Sequence, residues 1–277
     1  MGKSEKGSAG SIKNVLTIAG VDPSGGAGVL ADVKVMSALG TYACAVIAAL
    51  TAQNTRAVNG VLPVPDAFVT QQLDTLFEDV RIDAVKIGML GATDVMEAVA
   101  ASLERWQPRW VVLDTVMVAK SGDRLMPDES VSYFRKRLLP LASVITPNLP
   151  EAEVLLGESI NPDAMTEAAK ALFSICGGRT AVYLKGGHAA GETACDVFYD
   201  GGDPMYLSAP RTDTKNTHGT GCSLSSAIAA YLARTGDLRE SARLAKDYIT
   251  EAIAASDALD VGSGHGPVHH FVRLWNR

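Results

Sequence analysis

The chain has 277 residues, of which 47% are hydrophobic and 20% are charged, and its formal net charge at pH 7 is −6. This length and composition are typical of one compact, soluble α/β domain with a large core, and they argue against a disordered chain. The acidic balance, without a cluster of Lys and Arg on any predicted helix, argues against nucleic acid as a partner. Local N–H groups and single cations would therefore have to bind an anionic ligand.

The cysteines and the N-terminal residues indicate the cellular compartment. The four cysteines lie far apart and form no C-x-x-C pair, which argues against a zinc site and against a disulfide framework. Residues 1–13 are polar and lack the apolar core of a signal peptide, so they are predicted to be a disordered tail. No apolar run is long enough to span a bilayer as a helix. We therefore expect a cytoplasmic protein with no membrane partner and one domain over residues 14–277.

Hydrophobic patterns predict strands that alternate with helices along most of the chain. In chain order, the predicted elements are a strand at 15–19, a helix at 27–39, strands at 42–50 and 61–64, a helix from 66, a strand at 84–87, a helix from 93, a strand at 110–113, a helix at 130–138, a strand at 144–145, helices at 149–156 and 163–175, a strand at 181–184, a hairpin of 197–199 with 205–207, and helices at 221–234 and 238–259. Asp66, Thr93 and Asp163 are the predicted N-caps of their helices. Repeated strand–helix units imply a mainly parallel sheet with helices on both faces.

The polar and Gly-rich loops of this arrangement follow strands. In a parallel sheet such loops gather outside the carboxyl ends of the strands, where ligands bind. We therefore expect these loops to converge on one rim and to form a ligand site there. They are 20–28, 51–55, 88–91, 115–122, 147–151, 185–188 and the loop that contains Gly219.

The segment Thr217–Ser223 is the most informative of these loops, and it stands directly before a run of small and apolar residues. Its two glycines permit a tight turn, and the free N–H groups at the start of the following helix form a site for an anion. The same N–H dipoles are expected to shift the Cys222 thiol toward thiolate. The alternative is a turn with a Ser or Thr cap and no further role. The predicted phosphate cradle consists of Gly219, Thr220, Gly221 and Cys222.

The Gly-rich loop after the first strand matches neither common nucleotide motif. Its spacing does not give G-x-G-x-x-G, and the chain contains no G-x-x-x-x-G-K-[ST]. A Rossmann dehydrogenase and a P-loop enzyme are therefore both disfavoured. Taken alone, this loop fits a simple turn as well as a substrate loop.

Eight segments in one order carry a family resemblance. They are Thr17–Gly28, Thr51–Thr55, Lys86–Leu90, Asp114–Met117, Thr146–Glu151, Lys185–His188, Asn216–Cys222 and Gly266–Phe271. Together they resemble the hydroxymethylpyrimidine/phosphomethylpyrimidine kinases of thiamine biosynthesis, which belong to the ribokinase-like superfamily. The resemblance implies an α/β three-layer sandwich with a mainly parallel central sheet, and a homodimer. It also implies an ATP- and Mg²⁺-dependent kinase that phosphorylates 4-amino-5-hydroxymethyl-2-methylpyrimidine and then its monophosphate.

The resemblance implies roles for individual residues on the pyrimidine side. Gln53 stands where the family holds the pyrimidine, and its carboxamide can donate and accept at once, as an aminopyrimidine edge requires. Asp32 lies in the first helix on an apolar stretch, where its carboxylate needs a donor such as the substrate amine. Gly20 offers backbone contact, and Met89 and Val116 offer apolar packing on the ring. Each role has a structural alternative. Gln53 could be a loop amide that bonds to the backbone, Asp32 a solvated helix position, and Met89 and Val116 ordinary core residues.

The resemblance also implies roles on the nucleotide side. Asn148 and Glu151 match an N-x-x-E pattern that orients magnesium and its waters in the superfamily, although the same pair fits a helix capping box. Asp114, at a strand end, is expected to support the metal or the γ-phosphate. Lys185 is expected to pair with the ATP phosphates. Many superfamily members have Asp where this chain has Cys222, so the thiol is the predicted base.

Two alternative functions are compatible with the sequence. A pyridoxal or pyridoxine kinase of the same superfamily shares the Gly-Thr-Gly-Cys motif, but some of these enzymes have a cysteine in the segment corresponding to Val116–Lys120, where this chain has Ala119. A non-catalytic pyrimidine- or nucleotide-binding regulator on the same fold is the second alternative. The joint presence of the phosphate loop, the N-x-x-E pair and the Gln53 segment favours a kinase over a regulator.

Two further segments carry predictions. Residues 115–126, with Lys120 and Gly122 and followed by Pro127, are predicted to form a mobile flap over the substrate. The three histidines near the C-terminal end are not predicted to bind a metal, because Gly266-Pro267 breaks the helix that would bring them together. These histidines are His265, His269 and His270.

Overall fold

A single mixed sheet runs through the residues that the computed structural model describes, namely 11–117, 126, 128–187 and 192–275. The strands in this part of the chain are β1 (Asn14–Val21), β2 (Tyr42–Gln53), β3 (Val58–Pro63), β4 (Ala84–Ile87), β5 (Val111–Leu113), β6 (Val144–Ile145), β7 (Ala181–Leu184), β8 (Thr193–Tyr199) and β9 (Met205–Pro210). Their order across the sheet is β3-β2-β1-β4-β5-β6-β7-β8-β9. The strands from β2 to β7 in this order are parallel, whereas β3, β8 and β9 at the edges are antiparallel. The predicted mainly parallel sheet is confirmed.

Helices cover both faces of the sheet. They are α1 (Gly28–Ala38), α2 (Asp66–Asp79), α3 (Thr93–Trp106), α4 (Asp128–Tyr133), α5 (Leu149–Leu156), α6 (Met165–Ile175), α7 (Thr220–Thr235) and α8 (Leu238–Ala254). Leu16 and Ile18 of β1 belong to the core with α2, α3, α5 and α6, while Val15 belongs to the core with α1, α7 and α8. This alternation is the pattern of a strand that is buried on both faces. The predicted three-layer sandwich is therefore confirmed.

The predicted N-caps of three helices were wrong. Asp66 and Thr93 are the first residues of α2 and α3, and the cap positions belong to the residues before them, without a side-chain hydrogen bond. At the third helix, Asn161 accepts the N–H of Asp163 and opens a short 3-10 turn before α6 begins at Met165. In each case an earlier residue already has the non-helical backbone that a cap position requires.

Other helix boundaries agree with the sequence where a local signal is strong. The bounds of α5, its start at the Asn148 cap and its end at Gly157 are as predicted. The predicted helix at 130–138 is α4 followed by one π-helical turn, and α8 ends at Ala254 instead of 259. The predicted strand at 61–64 corresponds to β3 at the edge of the sheet, and the predicted hairpin of β8 with β9 is confirmed. Within the described ranges, no helix combines the length and the apolar character needed to cross a membrane.

Candidate active site

The polar loops converge at the carboxyl ends of the parallel strands, as predicted. The N–H of Gly20 in β1 donates to the carbonyl oxygen of Met89, which follows β4, at 3.0 Å. Nζ of Lys185, directly after β7, lies 3.7 Å from Oδ1 of Asp114, directly after β5. Four strands therefore contribute groups to one rim of the sheet.

The loop before α7 presents uncapped N–H groups at this rim. Gly219 occupies the N-cap position in the left-handed region, with φ 74°, and no side chain caps the helix. A Cβ on Gly221 would lie 3.3 Å from Nζ of Lys185, so the first turn of α7 lies beside that cation. The uncapped turn and the ammonium group both favour an anion there. The alternative of a Ser- or Thr-capped turn is therefore wrong.

Two buried carboxylates flank Lys185. Its Nζ lies 3.7 Å from Oδ1 of Asp114 and 3.9 Å from Oε2 of Glu151. The hydroxyls of Thr146 and Ser225 each donate to Asp114 at 3.1 Å and fix its orientation. With both carboxylates ionised, this group carries two negative charges and one positive charge.

Glu151 has two structural roles at once. Its N–H donates to Oδ1 of Asn148 at 2.8 Å, and its Oε2 accepts the N–H of Asn148 at 2.9 Å, which is a complete capping box at the start of α5. The hydroxyl of Thr115 donates to the same Oε2 at 2.8 Å. The N-x-x-E pair therefore caps the helix and lies on the rim, so the two interpretations of the pattern are compatible.

Burial and neighbouring charges shift the pKa values of Glu151 and Lys185. Burial raises the pKa of Glu151; the Lys185 ammonium lowers it by less, and the nearby Asp114 adds to the rise. Burial alone would lower the pKa of Lys185, but the charges of Glu151 and Asp114 outweigh it, and its pKa is raised. Lys185 therefore stays protonated at neutral pH.

Cys222 lies in the first turn of α7 and is partly exposed. The prediction of a thiolate is wrong, because burial among protein atoms raises the pKa of this thiol to about 11. Lys86 lowers the pKa, but Asp114 and Asp32 raise it further, and the hydrogen bond from the Gly28 N–H is a smaller stabilising effect. A helix N-terminus and one cation thus do not offset the loss of water and two nearby carboxylates.

Asp32 lies below the rim in an ion pair with Lys86. Both side chains are fully buried, and Nζ lies 2.8 Å from Oδ2. Thr17 and Ser226 donate their hydroxyls to the same carboxylate at 2.6 and 2.7 Å. The protein itself therefore supplies the donors that this carboxylate needs. A direct bond to a substrate amine stays a prediction, and it requires one of these partners to exchange.

The predicted pyrimidine residues lie around the end of β1. A Cβ on Gly20 would lie 2.7 Å from Cε of Met89, so these two residues are in contact. Gln53, the last residue of β2, accepts the hydroxyl of Thr51 through Oε1 at 3.2 Å. Val116 follows β5 and is partly buried. Since β2 and β5 lie on opposite sides of β1, Gln53 and Val116 flank the Gly20–Met89 contact.

A second buried network, which the sequence analysis missed, holds the loop that follows Lys185. Oδ1 of Asp196 accepts the N–H of Gly186 at 2.8 Å. Oδ2 accepts the hydroxyl of Tyr183 at 3.0 Å and Nζ of Lys246 at 2.8 Å. This carboxylate in β8 therefore positions the backbone directly beside the predicted phosphate-binding lysine.

A usable sequence signal exists for these missed residues. Lys86 is the one charged residue of β4, whose residues are all buried. Lys246 lies between Ala245 and Ile249 on the buried side of α8. A charge on an apolar face needs a buried partner, so each lysine pointed to a carboxylate elsewhere in the chain.

Most of the predicted flap lies outside the described residues. Met117 follows β5, and the N–H of Met126 donates to its carbonyl oxygen at 3.2 Å. The flap therefore stays a prediction. Five residues named in the sequence analysis also lie outside the described residues: Ala119, Lys120, Gly122, Pro127 and His188.

Comparison with known proteins identifies the family. A family model described as phosphomethylpyrimidine kinase matches residues 22–269. The hydroxymethylpyrimidine/phosphomethylpyrimidine kinase of Escherichia coli is 51% identical over 265 residues, which cover 95% of this chain and 98% of that protein. Among solved structures, an ADP complex of Bacillus subtilis pyridoxal kinase has a TM-score of 0.86 at 36% identity and matches 95% of this chain and 100% of its own. A phosphomethylpyrimidine kinase from Clostridium difficile has a TM-score of 0.77 at 40% identity and matches 87% of this chain and 99% of its own. The chain therefore belongs to the phosphomethylpyrimidine kinase family.

Proposed function

We propose that this protein phosphorylates 4-amino-5-hydroxymethyl-2-methylpyrimidine with ATP, and then phosphorylates the monophosphate to the diphosphate. One observation carries the proposal: the uncapped first turn of α7 lies beside Lys185 at the same rim as Gln53 and the Gly20–Met89 contact. A site with a phosphate cradle and a carboxamide for a heterocycle suits a kinase of a small aromatic alcohol. The 51% identity to the E. coli enzyme supports the same substrates.

Lys185 and Asn148 would bind the ATP phosphates, and the carboxylates beside them suit Mg²⁺. Magnesium prefers oxygen ligands and is commonly held by one or two carboxylates together with substrate phosphates and water. The buried Asp114 and Glu151 provide such oxygens, with one negative charge in excess of Lys185. In the part of the chain that the structure describes, no cluster of three or more acidic, His or Cys side chains would hold an ion by itself. Bound Mg²⁺ would neutralise charge on the nucleotide phosphates.

The transfer step moves the γ-phosphoryl group of ATP to the substrate hydroxyl. A bond forms between that oxygen and the γ-phosphorus, the bond to the β–γ bridging oxygen breaks, and ADP leaves with the electron pair. The N–H groups of Gly219, Gly221 and Cys222 stabilise the charge on the transferring group. The N–H and the hydroxyl of Thr220 both donate to the carbonyl oxygen of Thr217, at 3.3 and 2.7 Å, so Thr220 shapes the turn. The hydroxyl proton leaves late, first to an oxygen of the transferred phosphoryl group and then to water, because a loose transition state requires little from a base. The Cys222 thiol, with its pKa raised to about 11, acts as a hydrogen-bonding partner more than as a base.

Turnover with the pure substrate tests this function. Purified protein, ATP, Mg²⁺ and the aminopyrimidine alcohol should release ADP and form the monophosphate and then the diphosphate, followed by mass spectrometry. Gln53→Ala should raise KM for the pyrimidine about tenfold, because a hydrogen bond contributes about 0.5–1.5 kcal/mol. Gln71→Ala, an exposed amide on α2, is the matched control. ADP release no faster than without the alcohol would refute the proposal and favour the non-catalytic regulator.

Pyridoxal is a second candidate substrate, because the pyridoxal kinase of B. subtilis aligns over 95% of this chain with a TM-score of 0.86. Both substrates are small aromatic heterocycles with a hydroxymethyl group, so one rim could serve both. Competition of pyridoxal and the aminopyrimidine alcohol for limiting ATP gives the ratio of their kcat/KM values. We expect the pyrimidine to win, and a ratio in favour of pyridoxal would reverse the assignment.

We also infer a homodimer, as the family resemblance implies, and a cytoplasmic location, in keeping with the free cysteines. Exposed apolar side chains of β2 and β3 offer a surface for self-association: Leu50, Val61 and Leu62 are 47%, 44% and 64% exposed. Light scattering should give twice the chain mass, and Leu62→Glu should give a monomer. Ile175→Glu, which is 40% exposed on α6, should stay a dimer. A wild-type monomer would contradict the inference.

A further inference from the structure

His218 connects the predicted phosphate cradle, which begins at Gly219, to the Gly-rich loop 20–28 after β1. Its Nε2 lies 2.7 Å from Oδ2 of Asp22, and both side chains are buried. The same carboxylate accepts the N–H and the hydroxyl of Ser24, both at 2.9 Å, and the N–H of Ala27 at 3.0 Å. One carboxylate thus organises the whole Gly-rich turn and binds the residue directly before Gly219.

The main chain of His218 is fixed as well. Its N–H donates to the carbonyl oxygen of Gly266 at 3.0 Å, and its own carbonyl oxygen accepts the N–H of Val268 at 3.4 Å. Glycine is required at the contact, because a Cβ on Gly26 would overlap the His218 ring and a Cβ on Gly219 would overlap the carbonyl oxygen of Gly26. The phosphate loop therefore rests directly on two other segments of the chain.

The Asp22–His218 contact has the character of a strong, fixed hydrogen bond. Burial alone would raise the pKa of Asp22, but hydrogen bonds from His218 and Ser24 outweigh it and lower the pKa. Asp22 is therefore ionised at neutral pH, and hydrogen bonds to a carboxylate are shorter and stronger than neutral ones. Gly219, by contrast, resists rotation of the loop very little, since glycine adopts many backbone conformations.

We propose that Asp22 and His218 form a positioning pair that holds the first turn of α7 in the orientation needed to bind the transferring phosphoryl group. This inference rests on the proposed function of that turn. N–H groups stabilise an oxyanion when they are aimed at it before the reaction, and a displacement of 1 Å can cost a hundredfold in rate. Neither side chain is a catalytic residue, because each acts through the backbone that it fixes.

Four variants separate positioning from simple stabilisation. Asp22→Asn and His218→Leu should each lower kcat by roughly 10- to 100-fold, with KM for the pyrimidine unchanged. His218→Gln, which keeps an N–H donor within reach of Asp22, should restore most of kcat. The control is Tyr248→Phe, which removes a buried hydrogen bond of 2.6 Å to the carbonyl oxygen of His270. His270 lies two residues after Val268, in the segment that bonds to the His218 main chain. The Tyr248→Phe variant should lower the melting temperature without lowering kcat.

Three kinetic results would contradict the positioning pair. Wild-type kcat in His218→Leu, or a His218→Gln variant as impaired as His218→Leu, would overturn the proposal. So would a double variant Asp22→Asn/His218→Leu whose losses multiply, since residues that act as one unit are not additive. Should His218→Leu fail to fold, the near-isosteric Asp22→Asn and His218→Gln decide the question.

A measurement without substrate keeps this inference separate from the proposed function. Amide hydrogen exchange at residues 217–222 of the nucleotide-free protein should be faster in Asp22→Asn and unchanged in Tyr248→Phe. If the wild-type protein releases no ADP with the aminopyrimidine alcohol, the proposed function fails while the exchange result still tests the positioning. Unchanged exchange in Asp22→Asn overturns the positioning pair even in an active kinase.

Discussion

Neighbouring groups act in opposite directions on the pKa of the Cys222 thiol. Burial and the carboxylates Asp114 and Asp32 favour the thiol, whereas Lys86 and the hydrogen bond from the Gly28 N–H favour a thiolate. The balance raises its pKa to about 11, so few molecules carry a thiolate at neutral pH. The side chain is therefore poorly suited to accept a proton early in the reaction.

The Cys222→Ala variant tests this conclusion. We expect kcat to fall by less than about 10²-fold, which is the lower end of the contribution of a positioned general base. Steady-state kinetics at saturating substrates gives the number, and Cys195→Ala in β8 is the matched control. A larger loss would show that Cys222 acts as the base and that bound nucleotide lowers its pKa.

Glu151 links protonation to stability at the same rim. Its pKa is raised above the ordinary value of 4.5, so the folded protein keeps this proton over a range of pH in which the unfolded chain has lost it. The contribution of Glu151 to the free energy of unfolding therefore falls as pH rises from 4.5 through the raised pKa. Glu151→Gln cannot titrate and should gain stability relative to the wild type over this range.

Urea unfolding at several pH values between 4.5 and neutrality measures this difference. Glu158→Gln, at an exposed position just after α5, is the control for loss of one charge. A difference between Glu151→Gln and the wild type that does not change with pH would contradict the burial of this carboxylate.

At the scale of the element, α7 has a glycine in the left-handed region at each end. Gly219 precedes it with φ 74°, and Gly236 follows it with φ 70°. A Cβ on Gly219 would overlap the carbonyl oxygen of Gly26, whereas a Cβ on Gly236 would meet an atom of Arg109 at 3.9 Å, an ordinary contact. The two positions share the backbone strain and differ in the space around them.

Alanine at each end should therefore have different effects. Gly236→Ala should lower the free energy of unfolding by about 1–2 kcal/mol, the cost of the left-handed conformation, and leave kcat unchanged. Gly219→Ala should cost more and should also lower kcat, because the turn must move away from Gly26. Thermal unfolding and kinetics on both variants provide the comparison, and equal effects would contradict the close contact of the two loops.

Features that depend on residues close together in the chain were predicted correctly, whereas features that depend on contacts between distant residues were not. The bounds of α5 were predictable because Asn148 and Gly157 act within one turn of their own helix. The convergence of loops was predictable because parallel strands share one direction. The environment of Asp32 was not, because its partners Lys86 and Ser226 lie 54 and 194 residues away. The thiol of Cys222 was mispredicted for the same reason.

The buried pair of Asp32 and Lys86 contributes at the scale of the whole molecule. It connects α1 with β4, and hydroxyls from β1 and α7 complete the set. Burial alone would lower the pKa of Lys86, but the charge of Asp32 outweighs it and raises the pKa. Removal of one partner leaves the other as an unpaired charge in the core, which is far more costly than removal of both.

The Lys86→Met variant should therefore lose about 3–5 kcal/mol of unfolding free energy, and Lys86→Met/Asp32→Leu should recover part of it. Urea unfolding gives both values, with Lys170→Met at an exposed position of α6 as the control. A loss in Lys86→Met no larger than in Lys170→Met would contradict a buried ion pair.

The contact between His218 and Asp22 spans 196 residues, and that between Ser226 and Asp32 spans 194. During synthesis, Asp22 and Asp32 can therefore form these two hydrogen bonds only after the polypeptide has been extended through residues 218 and 226. A shorter nascent chain contains Asp22 and Asp32 without these two partners. A fragment that ends before residue 218 would consequently keep the hydrogen bonds from Ser24 and Ala27 to Asp22 and would lack those of His218 and Ser226.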